Sequence, residues 1–90
     1  MRFSDLDFQP HNNFYQNGIQ AIAKFPNNYG LSVVKFPGSY GYEFNQFECA
    51  ILKFTEDDFK IDYTTEIADD IVGYCTTVEV ENLLQKVEKL

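Results

Sequence analysis

The chain has 90 residues and a net charge of −7, from 14 acidic and 7 basic side chains; 17% of it is aromatic, as 9 Phe and 6 Tyr without a Trp. That length fits one folding unit, which hides only roughly 60–65% of its unfolded surface, so the core must be built from few large side chains. Scattered Lys and Arg argue against a nucleic-acid or anionic-membrane binder, both of which need clustered cations, and no run approaches the roughly 18 apolar residues that span a bilayer.

From Met1 to Asn17, Phe3, Leu6, Phe8, Phe14 and Tyr15 lie among Asp, Asn, Gln and Pro with neither strand nor helix period. Residues 1–17 read as an arm expected to lie on the body of a single domain, 18–90, with an aromatic arm reaching a partner as the alternative. A lone Arg2 with no apolar stretch behind it is not a secretory signal, so a cytoplasmic protein is expected.

Four short segments rich in β-branched and aromatic residues follow: Ile19–Phe25, Leu31–Phe36, Gln46–Phe54 and Phe59–Tyr63. Alternation puts Ile19, Ala21, Ala23 and Phe25 on one face of the first, and sets Phe47, Cys49 and Ile51 against Glu48, Ala50, Leu52 and Phe54 in the third. With both faces apolar, the third is expected to be central, covered by a helix on one side and by the arm on the other. Lys24-Phe25-Pro26-Asn27-Asn28-Tyr29-Gly30 is echoed by Lys35-Phe36-Pro37-Gly38-Ser39-Tyr40-Gly41, an offset too short for a solenoid. Two similar Pro-directed turns are expected, and the alternative is a binding surface made of Tyr29, Tyr40 and Tyr42.

Glu56, Asp57, Asp58, Asp62, Glu66, Asp69 and Asp70 face only Lys60, so this stretch holds nearly all of the net charge. Glu56-Asp57-Asp58 predicts a hairpin turn, and Asp69-Asp70 falls in the connection to the last element. That element is an amphipathic helix: Val80, Leu83, Leu84, Val87 and Leu90 recur at helical spacing, with Thr76 and Glu79 fitting a capping box. The whole predicts an α+β domain, an antiparallel β-meander of about four strands with one C-terminal amphipathic helix packed on the sheet.

Chemistry is sparse. The single histidine, His11, lies far in sequence from Cys49 and Cys75, which leaves nucleophilic catalysis without a base. Both cysteines read as reduced thiols, with Cys49 a small core residue. The acidic stretch fails the calcium-loop test, because Lys60 falls among the ligand positions and the turn glycine is missing. No phosphate cradle occurs, since Gly38 and Gly41 precede a strand rather than a helix. No cofactor, no metal and no catalytic residue are expected.

The Asn28–Val34 turn and strand, the Phe36–Gly41 turn and the Asp69–Tyr74 to Glu79-Val80 finish together resemble a group of short, acidic, uncharacterised proteins of tailed bacteriophages and prophages. The likeness spans roughly residues 18 to 90 and implies a setting, a host-cell accessory protein made during infection or lysogeny, without an activity. The expectation is a non-catalytic accessory protein, monomer or small homo-oligomer, that binds a host or phage protein with a basic surface. One alternative is an acidic DNA mimic that blocks a nucleic-acid-binding defence enzyme; another is a small virion or assembly component. The candidate contacts are the seven carboxylates above together with Tyr29, Tyr40 and Tyr42.

Overall fold

The computed structural model describes residues 1–11 and 17–90. It is an antiparallel sheet with one C-terminal helix packed on it, an α+β fold with a meander at its heart. The strands are β1 (Gln9–Pro10), β2 (Ile19–Lys24), β3 (Tyr29–Lys35), β4 (Phe47–Phe54), β5 (Phe59–Ile61) and β6 (Val72–Cys75), and the helix α1 spans Thr77–Glu88. Strands β1 to β5 lie in sequence order, and β6 joins β4 on the edge that β5 uses further along. β4 is therefore the central strand, as its two apolar faces require.

The repeated Pro turns close differently because their residues differ. In the first, the Asn28 amide donates to the Phe25 carbonyl and Asn28 takes a positive φ of 66°, giving a tight β2–β3 hairpin with Pro26 at the position that suits its fixed φ. In the second, the Ser39 amide donates to the Phe36 carbonyl while Gly38 sits at φ 100°, the conformation a type II turn reserves for glycine. That turn leads into a 3-10 turn, Tyr42–Phe44, before β4 begins.

Alternation along the strands separates two faces. The helix side carries Ala21, Ala23, Phe25, Leu31, Val33, Phe47, Cys49, Ile51 and Cys75, on which Val80, Leu84 and Val87 of α1 close a fully buried core. The helix starts at Thr76, whose hydroxyl accepts the Glu79 amide while the Glu79 carboxylate accepts the Thr76 amide, so the expected capping box forms. Its far end is held by Asn27, whose side-chain amide donates to the carbonyls of Val87 (3.0 Å) and Leu90 (3.1 Å), the first of which also accepts the Leu90 amide.

The arm does not take the place expected of it. Residues 3–8 lie on the helix side: Phe3 packs tilted and Phe8 stacked against Phe47, at 5.4 and 5.5 Å between ring centroids, and the Phe3 amide donates to Glu81 of α1. The reason is that Phe47 points toward the helix and leaves a ring-sized apolar border there, which the two arm phenylalanines fill. Gln9 and Pro10 then pair with Gln20 and Ile19 as β1. Phe14 and Tyr15 lie outside the described residues.

Candidate interaction surface

The second face, away from α1, has a centre of small or buried side chains, Gly30, Ser32, Val34, Ala50 and Leu52, and exposed aromatic groups at its ends. Gly30 is required: a Cβ there would sit 2.1 Å from the Ala23 carbonyl oxygen and 2.6 Å from the Phe54 ring, which lies across the gap. At this end Phe54 packs tilted against Phe59 and is covered by the Lys24 ammonium, 5.2 Å from the ring centroid.

The other end carries three large exposed rings: Tyr40 at 56%, Phe44 at 65% and Tyr74 at 50% of full exposure. Tyr74 lies between the others, with centroids 6.5 Å from Tyr40 and 6.2 Å from Phe44. These rings are held by backbone. The Tyr74 amide donates to the Tyr40 carbonyl (3.0 Å), the Tyr40 amide donates to Glu48 Oε1 (3.1 Å), and five backbone hydrogen bonds brace residues 36–46 internally. Tyr74 has a positive φ of 56°, a left-handed conformation that costs a tyrosine about 1–2 kcal/mol. Gly41 makes the fit possible: it sits at φ +103°, and a Cβ on it would come 2.9 Å from the Tyr74 Cα. Gly73 lies just as close to Tyr40, where an added Cβ would be 2.5 Å from the Tyr40 Cβ.

Of the three tyrosines singled out in the sequence, only Tyr40 and Tyr42 share this end. Tyr42 belongs to the same turn, whereas Tyr29 sits on the helix side, packed against the core with the Lys53 ammonium 4.0 Å from its ring centroid. The echo that suggested three equivalent tyrosines places Tyr29 in a strand and Tyr40 in a turn. Phe44 and Tyr74 were missed; the Gly73-Tyr74 pair was the available signal, a glycine giving a ring somewhere to rest.

The seven carboxylates are divided between two loops. Glu56, Asp57 and Asp58 form the β4–β5 turn, while Asp62, Glu66, Asp69 and Asp70 lie in the 62–71 connection, whose Ile67 and Ala68 pack against the core. Three shape their own loops: Asp58 accepts the Phe59 amide, Asp70 accepts the Ile71 amide, and Asp62 accepts both the amide and the hydroxyl of Thr64. The Thr64 hydroxyl, and after it the Thr64 amide, hold the Asp62 carboxyl below the usual carboxylate range.

Cys49 and Cys75 face each other across β4 and β6, both reduced and fully buried. The Cys75 thiol lies within hydrogen-bonding reach of the Val72 and Gly73 carbonyls, and its hydrogen bond to Cys49, with burial, pushes the Cys49 thiol far above its ordinary range. His11 packs tilted against Phe36, with ring centroids 5.5 Å apart. A cleft of ≈ 270 Å³ between β6 and α1 is lined by Val72, Cys75, Glu79, Asn82, Leu83 and Lys86. Among the described residues no group of three or more His, Cys, Asp or Glu is placed to hold a metal ion, and no helix is long and apolar enough to cross a membrane.

No protein-family model matches this chain, and neither a curated protein nor a solved structure does.

Proposed function

We propose that this protein is a non-catalytic binding module that recognises another protein through the Tyr40–Phe44–Tyr74 end of its second sheet face. The observation that carries the reading is the left-handed backbone at Tyr74, adopted where three aromatic rings are exposed together. Strain of this kind persists where surrounding contacts over-determine it, and it concentrates at ligand-binding positions. Exposed, rigidly held aromatic side chains are also the residue type that anchors protein interfaces, because they bury much surface at little entropic cost. The setting we propose, an accessory protein of a phage or prophage acting on a host or phage protein, rests on the resemblance carried by the turn and helix-start motifs.

The trial is comparative affinity capture from phage-infected or lysogenic cell extract. The baits are the natural chain, a Tyr40→Ser/Phe44→Ser double variant, and a variant with Glu56, Asp57 and Asp58 changed to their amides. A partner retained by the first and third and lost by the second is the expected result. Equal capture by all three, or loss only in the amide variant, overturns the reading.

A further inference from the structure

We infer that the Tyr40–Phe44–Tyr74 cluster is a seat for an arginine side chain on a basic segment of the partner protein. The inference rests on the function proposed above and adds the chemistry of the occupant.

The protein's own lysines point to it. Lys24 lies over Phe54, Lys35 over Phe47 at 5.1 Å and Lys53 over Tyr29, so three of the chain's ring surfaces at the sheet borders are already covered by a cation. Among the described residues none of these contacts involves Tyr40, Phe44 or Tyr74, although these rings are the most exposed group of neighbouring aromatics. The carboxylates beside them have the opposite sign, and the one lysine bonded to this turn, Lys35, is engaged by Asn45 Oδ1 and the Phe47 ring. Glu48 lies on the same face and spends one oxygen on the uncharged Tyr40 amide, and Glu43 lies in the turn that presents Phe44. Among the described residues the one ion pair joins the Met1 amino group to Glu88, so neither Glu43 nor Glu48 is neutralised by a basic side chain of this chain.

Exposed rings attract a cation through their negative faces, and an adjacent carboxylate adds a directional partner. A guanidinium suits this pairing best. It is planar, stacks on rings and is weakly hydrated, whereas an ammonium gives up more hydration to reach the same place. The net charge of −7 favours approach of a basic segment from any side. The opposite end also sets rings beside carboxylates, Phe54 and Phe59 next to Glu56, Asp57 and Asp58, but there the Lys24 ammonium already lies over Phe54, whereas among the described residues no lysine lies over Tyr40, Phe44 or Tyr74.

The test is a nuclear magnetic resonance titration of the full chain with a blocked glycine pentapeptide bearing arginine at its centre. The matched control carries citrulline, which keeps the shape and removes the charge. The expected result is shift changes confined to Tyr40, Glu43, Phe44, Glu48 and Tyr74. Affinity should fall about fivefold with citrulline, and by a similar factor in Glu48→Gln, which preserves the acceptor for the Tyr40 amide. Tyr74→Asn removes the central ring while keeping a residue that tolerates the left-handed backbone, so its expected loss does not depend on unfolding. Equal affinity for the two peptides overturns the arginine seat, as do shifts centred on residues 56–58 or on α1, or concentration-dependent shifts at the cluster without any peptide. If capture still depends on Tyr40 and Phe44 while the peptides bind equally, the binding surface stands and the cationic occupant falls.

Discussion

Tyr74 occupies a backbone region that glycine adopts freely and asparagine tolerates, and half of the residue's surface remains in solvent. Tyr74→Asn should therefore stabilise the fold by about 0.5–1 kcal/mol while weakening recognition, a trade that chemical denaturation and the peptide titration measure separately. A loss of stability larger than about 1 kcal/mol would mean that the ring is a structural support instead. The sign of φ at this residue was not legible in the sequence, because nothing in the composition around Gly73-Tyr74 distinguishes an extended tyrosine from a left-handed one. Asp62 gives a residue-scale prediction on pH. Its carboxyl is held below the usual range by Thr64, so its folded-state pKa is lower than its unfolded one. Its contribution to stability is then complete above the ordinary aspartate value of about 3.9 and disappears as pH falls through the depressed one. A carboxyl-carbon titration should place its midpoint below that ordinary value, and Thr64→Val should raise it; a midpoint at or above the ordinary value contradicts the assignment.

Among the elements, those with a clean period were readable and those held by a neighbour were not. α1 declared itself through Val80, Leu84 and Val87 and through the Thr76–Glu79 cap, and the faces of β2 and β4 followed from alternation. β6 was missed because it is 4 residues long, contains Gly73 and carries a register irregularity opposite Phe47 to Cys49; pairing with β4 is what makes it a strand. β1 contains Pro10, which cannot donate to a ladder, and exists through its pairing with Ile19 and Gln20. The attachment of the helix end to Asn27 was also illegible, since 60 residues separate Asn27 from Val87. Asn27→Ala should cost about 1 kcal/mol by removing the side-chain link between the β2–β3 turn and the helix end, and amide exchange should quicken at the C-terminal turn of α1 before the sheet is affected. Leu84→Ala, at a fully buried contact with the sheet, should cost about 2–5 kcal/mol and loosen helix and sheet together. Loss of helical signal at an unchanged sheet would contradict the single shared core.

Across the described residues, residues 3–8 and the helix share one side of the sheet, and this leaves the presentation of the Tyr40, Phe44 and Tyr74 rings to the other. The sequence pointed to a partner-binding surface among tyrosines and carboxylates but put Tyr29 with Tyr40, and only the course of the chain separates them, burying one against the core and lifting the other beside Tyr74 and Phe44. The acidic stretch illustrates the same limit. Its charge is evident from composition, yet the commitment of Asp58, Asp62 and Asp70 to their own loops depends on local geometry that composition does not carry. What remains is a small domain whose interior is spent on one core and whose distinctive chemistry is a braced, exposed aromatic end next to unneutralised carboxylates. Amide hydrogen exchange, compared between the protein alone and the protein bound to its captured partner, tests that most directly. Slowed exchange across residues 39–48 and 73–75, with the outer surface of α1 unchanged, is the predicted pattern. Protection confined to α1, or to the loops bearing residues 56–58 and 62–70, would place the partner elsewhere and contradict the account.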